Sequence, residues 1–509
     1  MSLFVRVWIA SLTVFWPCLA EATWHEARST HFVIYSDEKP ERLRDFAIRL
    51  EKFDQAARYA RGMQNVPPGE GNRLTVFVLS SISEVQRLSQ RKDKELAGFY
   101  TGRATGSMAF VPRRAGDGSK TSIDPETIFF HEYAHHLMMQ EIDRPYPEWL
   151  IEGFAEFMST AIFGKDGSVG LGAPALHRAY GLFSNVQIPI KQLLAGNYGK
   201  LSPEGRESLY SRGWLLTHYL TFEPSRRGQL EKYLNGIASG EELLKAAEAA
   251  FGDLDLLEKN VDGYLKRRKM TYLNVAAEKA VPGPIDVRPL SQGGAAVMPL
   301  RMQSKRGVDE KSAGPIANEL RAIASRYPDD PLVQVTLAEA EHDAGNFDAS
   351  SAAADRALKA DPKLTEAMIF KGRTAMAKGE SSGKDADWEE ARRWFMAANK
   401  LDTEDPEPLM LFYQSYVRQG ERPTANAIAA LHYASRLAPQ DAGLRMNSAV
   451  AYLNERKVDE ARKEIAPIAY DPHGGSYAGF ARRMLELVTK GDVDAALGIT
   501  APEQADSEE

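Results

Sequence analysis

The chain has 509 residues, 43% of them hydrophobic and 26% charged, with one cysteine and a formal net charge of −7. That much apolar material excludes intrinsic disorder over most of the length. With 63 Lys and Arg against 70 Asp and Glu there is no basic excess, which argues against nucleic acid as a partner.

Residues 1–22 combine a basic residue (Arg6), a short apolar stretch over 7–16 and a small-x-small site at Ala20-Glu21-Ala22. This pattern predicts a secretory signal peptide, hence an exported protein, periplasmic or secreted. The apolar stretch is about half the roughly 20 residues a spanning helix needs, so no stable membrane span is expected after cleavage. Cys18 follows Trp16-Pro17, unlike a lipidation site, and lies inside the signal. The mature chain is therefore expected to lack cysteine, and with it any disulfide or thiolate metal ligand.

Residues 30–35 read as a strand, and residues 40–63 as a helix with Leu43, Phe46, Leu50 and Phe53 at helical spacing. The continuous apolar stretch 74–79 reads as a buried strand, and 107–111 as a short strand ended by Pro112. A polar loop over 113–123 follows. Asp124-Pro125 then opens a helix that runs to about residue 140, with Asp as N-cap and Pro in the first turn. It stops before Pro145 and Pro147, and from 148 to 275 the pattern is predominantly helical. Strands first and helices after predict an α+β domain over 24–275.

Residues 276–312, with Pro282-Gly283-Pro284 and Gly293-Gly294, are expected to form a linker. Beyond it, small residues, aromatics and prolines recur near a 34-residue period: Leu337-Ala338, Gly345, Phe347, Ala357 and Pro362, then Gly372, Gly379, Trp388, Ala391 and Phe395. Over 313–495 this resembles the tetratricopeptide repeat family. The resemblance implies an all-α solenoid whose concave surface recruits a protein partner. The acidic tail 496–509 is expected to be disordered.

His131-Glu132-Tyr133-Ala134-His135 is an H-E-x-x-H pattern on the helix opened by Asp124-Pro125. Histidines four apart share a helix face, so both imidazoles can reach one metal ion, and Glu132 beside the first can act as general base on an activated water. The bare pattern also occurs on solvated helix faces, so its context decides. Such a metal needs a third protein ligand, and Glu152 follows His135 by seventeen residues, within Trp149-Leu150-Ile151-Glu152-Gly153-Phe154-Ala155-Glu156. The Pro145/Pro147 break lets this second helix fold back on the first. Glu156, one turn on, could orient a histidine ligand. His25-Glu26 followed by His31 has the wrong spacing for a second metal site, and His136 points away from His135 toward a core or hydrogen-bonded role.

These two motifs resemble the gluzincin metallopeptidases, the superfamily of thermolysin and the zinc aminopeptidases, and especially the peptidase-MA-like domains of bacterial exported proteins. The resemblance implies a small sheet followed by helices, with Zn2+ held by His131, His135 and Glu152. It implies that Glu132 is base and proton shuttle, with Glu156 in the supporting-acid position that commonly holds Asp. It also implies a Tyr or His donor to the developing oxyanion from a later helix, for which Tyr210 is the best match and His218 the reserve. Aminopeptidases carry an acid that binds the substrate amine, and Gly106-Ser107-Met108-Ala109-Phe110 has none. An edge strand at 107–111, aligning extended substrate by β-addition, would favour endopeptidase action. The expectation is an exported zinc metallopeptidase acting on a peptide or protein substrate. The alternative is a catalytically idle scaffold of the cell envelope whose repeats bind a partner.

Overall fold

A strand that is apolar at every position must be covered on both faces, and that requirement organises this chain. The computed structural model describes residues 24–90, 96–114, 123–141, 144–198, 201–471 and 474–499. The signal segment with Cys18, residues 115–122 of the polar loop and acidic residues 500–509 lie outside the described residues. The elements in chain order are β1 (His25–Arg28), β2 (Phe32–Ser36), α1 (Pro40–Arg61), β3 (Leu74–Leu79), α2 (Ile82–Ser89), β4 (Phe99–Thr101), β5 (Met108–Pro112), α3 (Pro125–Glu141), α4 (Glu148–Ser159), β6 (Ile162–Phe163) and β7 (Val169–Leu171). Next come α5 (Ala179–Phe183), α6 (Ile190–Ala195), α7 (Pro203–Phe222), α8 (Gln229–Ala238), α9 (Leu243–Phe251), α10 (Leu254–Leu265), β8 (Leu273–Val275) and β9 (Asp286–Pro289). The remainder is helical: α11 (Gln292–Arg306), α12 (Glu310–Arg326), α13 (Pro331–Asp343), α14 (Phe347–Ala360), α15 (Thr365–Ser382), α16 (Asp385–Leu401), α17 (Pro406–Gln419), α18 (Ala425–Leu437), α19 (Ala442–Asn454), α20 (Val458–Ala469), α21 (Gly475–Thr489) and α22 (Val493–Gly498).

The main sheet has the order β4-β5-β3-β2-β1-β9; β2, β3 and β5 are parallel and the others antiparallel. Its alternating side chains feed two cores. Phe32, Ile34, Leu74, Val76, Val78, Ala109 and Val111 face α1 and α3. Val33, Tyr35, Phe77, Leu79, Met108 and Phe110 face Val85 of α2 and Met298 and Met302 of α11. Tyr35, Phe77, Phe110 and Phe99 stack in register across β2, β3, β5 and β4, with ring centroids 5.5, 5.0 and 4.6 Å apart. Offset stacking of this kind adds to area burial and pins the register of the short strand β4.

Three expectations are corrected here. Residues 107–111 are not an edge, because β4 pairs antiparallel with β5 and takes that position. The supposed linker is structured: β9 pairs with β1, and α11 seals the outer sheet face. Its glycines begin a helix rather than loosen the chain, since Ser291 caps the Gly294 N–H. The tail expectation is shortened, because α22 reaches Gly498 with Ala496 buried. A second small sheet, β6-β7-β8, also interrupts the helical stretch after residue 148.

From α11 onward, consecutive helices pack against one another, and α11 with α13, α13 with α15 and α15 with α17 also touch, which builds a stacked array of helix pairs around three apolar clusters. The array is fastened to the sheet domain. Ala104, in the β4–β5 turn, is buried within the array's own core, its N–H bonded to Asp441 Oδ2 at 2.8 Å. Gln440 Nε2 donates to Ser107 Oγ (2.9 Å), Asn72 Nδ2 to the Leu437 carbonyl (2.7 Å), and Gly71 N–H to Asp402 Oδ2 (2.9 Å). No helix among the described residues is long and apolar enough to cross a membrane.

Inside the array, Arg301 and Lys305 of α11 reach Glu366 of α15 at 3.0 and 2.7 Å, and Lys305 reaches Glu339 of α13 at 3.0 Å. Burial opposes ionisation of Glu366, but Arg301 and then Lys305 hold it well below the usual carboxylate range, whereas burial pushes Glu339 up. A folded pKa below the unfolded value makes this contribution full above the unfolded pKa and lost as pH falls toward the folded one. Glu366→Gln should therefore cost about 3–5 kcal/mol at neutral pH, because it strands a buried cation. In denaturant melts the gap to wild type should close on acidification below about pH 4, the ordinary carboxylate range.

Candidate functional site

Two helices carry the site, and their crossing follows from sequence. Asp124 caps α3 by accepting the Thr127 N–H at 2.7 Å. The inner side of α3 is clamped to α1: Phe130 stacks on Phe53 at 4.1 Å, and Tyr133 O–H donates to Asp54 at 2.7 Å. Asp54 is in turn bonded to Arg58 at 2.7 Å. Tyr146 and Pro147 end the turn, and α4 folds back along α3 with Trp149, Leu150 and Ile151 buried. Gly153 of α4 meets Gly213 of α7 backbone to backbone; a methyl on Gly213 would lie 2.7 Å from the Trp149 carbonyl oxygen. That close approach brings α7, and Tyr210 on it, against the same centre.

His131 Nε2, His135 Nε2 and a Glu152 carboxylate oxygen converge at separations of 3.2, 3.5 and 3.7 Å. A tetrahedral ion with bonds of about 2.0–2.1 Å sets its ligand atoms roughly 3.3–3.4 Å apart. The three atoms thus outline one face of such a tetrahedron, and two imidazole nitrogens with one carboxylate oxygen are a donor set suited to a divalent transition-metal ion. His131 and Glu132 keep partial solvent access.

Glu156 lies beside His131. Its Oε1 lies 3.1 Å from His131 Nδ1, which fixes the tautomer that presents Nε2 to the centre. Burial opposes ionisation of Glu156, yet Arg178 first, then His131 and His177, hold it well below the usual carboxylate range. Burial likewise disfavours a charged His131, but Glu152 and Glu156 prevail and raise its pKa to about 10, so the pocket is built to accept positive charge. Tyr210 has its ring 6.1 Å from that of His131. Burial, and Glu152 next, push its phenol up, with Glu132 adding to the effect, so it is a proton donor at neutral pH and lies within the field of both acids.

His177 and Arg178 escaped sequence reasoning. They precede α5, with His177 Nε2 at 2.8 Å and an Arg178 guanidinium nitrogen at 2.6 Å from Glu156, and Arg178 also holds Glu207 at 2.6 Å and lies 4.8 Å over the Tyr210 ring. No motif marks them; the available signal was that a second acid on an apolar helix demands a cation from elsewhere. The reserve donor His218 is excluded. It is fully buried away from the centre, bonded to the Gly172 and Thr271 carbonyls and to Tyr264. His136 is hydrogen-bonded to Tyr100 of β4 at 2.7 Å and to Gln140 at 2.9 Å, and burial pushes its pKa down to about 3, so it is neutral. That bond ties the edge strand to the helix bearing His131 and His135.

His31 does not meet His25. It joins Glu51 (2.9 Å) and Asp54 (3.3 Å), both facing its Nδ1, while its backbone N–H also donates to Glu51. Together with the Tyr133–Asp54 bond, these contacts brace the start of β2, α1 and α3. No family model matches this chain, and a search of curated proteins finds no match.

Metal analysis of the purified protein should give one divalent ion per chain, abolished by His135→Ala or Glu152→Gln. Arg178→Met should weaken affinity by about 10–100-fold, by releasing Glu156 from its orienting position. Full metal retention in His135→Ala would contradict the site.

Proposed function

We propose that this chain is an exported zinc-dependent metallopeptidase of the gluzincin type, cutting within extended polypeptides, joined to a tetratricopeptide-like array. The observation that carries this is the triangle of His131, His135 and Glu152 atoms at tetrahedral-ligand spacing, with Glu132 and Tyr210 beside it. Export rests on the sequence of residues 1–22 alone.

When bound, zinc supplies a Lewis acid that polarises the scissile carbonyl and acidifies water. The chain's own groups divide the remaining work. His131 and His135 bind through Nε2, Glu152 through a carboxylate oxygen, and Glu156 holds the proton on His131 Nδ1. Glu132 takes a proton from the attacking water on its carboxylate and delivers it to the leaving nitrogen. Tyr210 O–H donates to the carbonyl oxygen as charge develops there. The outer edge of β4, the terminal strand of the sheet, offers backbone groups to an extended chain, and the Tyr100–His136 bond fixes that edge relative to Glu132. Burial of Ala104 in the array supports a further task for the repeats, holding the β4–β5 turn, alongside any recruitment of a partner.

The test is proteolysis of a reduced, carboxymethylated protein by wild type and Glu132→Gln at equal zinc content. Internal fragments and a rate about 10²–10⁴-fold lower in the variant are expected. Bound zinc with no difference between the two would favour the idle scaffold.

A further inference from the structure

The segment after α10 departs from the charge pattern of the rest of the chain. Residues 263–277, between Asp262 and Glu278, hold Lys266, Arg267, Arg268 and Lys269 and no acid, in a protein whose net charge is −7. All four cations are exposed. Arg267 is used locally, bonded to Glu223 at 2.8 Å and lying 4.6 Å over the Tyr264 ring. The side chains of Lys266, Arg268 and Lys269 make no ion pair among the described residues. The backbone that carries them is fixed at either end, because His218 is bonded to Tyr264 O–H at 2.8 Å and to the Thr271 carbonyl at 3.0 Å. Three cations without an internal partner thus stand on an anchored loop.

The same loop lines a surface groove of about 940 Å³, shared with the β6–β7 turn. The turn contributes Lys165, which also makes no ion pair among the described residues, and the loop contributes Lys269 and Tyr272. Asp166, the acid among the lining residues, accepts from the Ser168 N–H at 3.1 Å and hydroxyl at 2.7 Å and lies in the field of Lys52. Beside the groove, Ile162 of β6 and Tyr272 meet over Gly170 of β7. A methyl on Gly170 would lie 3.6 Å from Ile162 Cβ and 2.8 Å from the Tyr272 ring. Ile162 is 45% and Tyr272 44% exposed. An aliphatic and an aromatic side chain therefore share one exposed face of the small sheet, next to unpaired lysines.

Such a surface is complementary to one that is anionic outside and apolar just beneath, which describes a phospholipid bilayer. Lys266 and Lys269 are at most about 11 Å apart along the chain, close to one Debye length, so they act on a charged surface as one cluster. A small phosphate ion is better held by a nest of backbone N–H groups than by exposed lysines, and Ile162 offers a nucleotide base no stacking face. We propose that the β6–β7 turn and residues 266–272 dock this protein on anionic phospholipid membrane. Lys165, Lys266, Arg268 and Lys269 meet the headgroups, and Ile162 and Tyr272 reach the acyl boundary, where a phenol keeps its hydroxyl in water. The attachment is peripheral and needs neither the metal centre nor cleavage activity.

The experiment is flotation of the full-length protein with vesicles of phosphatidylcholine alone or mixed equally with phosphatidylglycerol, at low and high salt. Mixed vesicles should carry more protein than neutral ones, and high salt should remove the difference. Each cation near an anionic surface is worth about fivefold in partitioning, so Lys165→Gln/Lys266→Gln/Arg268→Gln/Lys269→Gln should weaken binding to mixed vesicles by about 100-fold or more. Lys359→Gln/Lys363→Gln/Lys400→Gln/Lys490→Gln, which removes four exposed charges from the helical array, should leave it unchanged. Lys165→Arg/Lys266→Arg/Arg268→Lys/Lys269→Arg should also retain it. Ile162→Ser/Tyr272→Ser should weaken it by about tenfold, the equivalent of part-burying one or two apolar side chains. Residues 7–16 are common to every variant, and binding through them shows on neutral vesicles as well. Equal binding to both vesicles or an anionic preference that survives the glutamine quadruple at 165–269 would overturn the proposal. So would vesicle binding that ignores Ile162→Ser/Tyr272→Ser and is matched by binding of soluble polyphosphate.

Discussion

Two carboxylates are buried one turn apart on α4, among the apolar side chains of Trp149, Leu150, Ile151, Ala155 and Phe157, and the surrounding architecture answers to them. Burying an ionised carboxylate costs several kcal/mol unless positive charge and hydrogen bonds compensate. Glu156 draws three cationic or potentially cationic groups from two other segments: Arg178, His177 and His131. Glu152 faces two imidazole nitrogens at distances that a shared divalent ion would close. The positions of α3 and of the 176–178 turn can each be understood as delivering charge compensation to α4.

The geometry that achieves this is made of close contacts rather than long reach. Gly153 against Gly213 lets α4 and α7 touch by their backbones, so Tyr210 stands beside the same cluster. On the far side, the Tyr133–Asp54–Arg58 and His31–Glu51 bonds brace α3 from α1. The array enters the same mechanical circuit. Asp441 and Gln440 hold the β4–β5 turn, β4 carries Tyr100, and Tyr100 is bonded to His136, next to His135. Sheet domain and array are thus one packed structure joined through α11, not two bodies on a flexible tether.

Much of this was legible in sequence where a single local rule decided the outcome. The strand over 74–79 and the helix opened by Asp124-Pro125 follow from an unbroken apolar stretch and a cap. The convergence of His131, His135 and Glu152 follows from helical spacing and a proline break. What stayed hidden depended on partners distant in sequence. β4 is three residues long and owes its existence to stacking of Phe99 on Phe110. β9 and α11 sit among glycines and prolines that look like a linker, because nothing local records that β1 and the outer sheet face need covering. His177 and Arg178 carry no spacing signal; Glu156 holds both, and Glu207 and Tyr210 also hold Arg178.

The central claim is that α3 and α4 together form a three-ligand metal centre. X-ray absorption at the zinc edge of the purified full-length protein tests it most directly. The account predicts a four-coordinate ion with nitrogen and oxygen neighbours at about 2.0–2.1 Å and the outer-shell signature of two imidazoles, lost in His131→Ala/His135→Ala. A six-coordinate all-oxygen shell, or an imidazole signature that survives that double substitution, would contradict it.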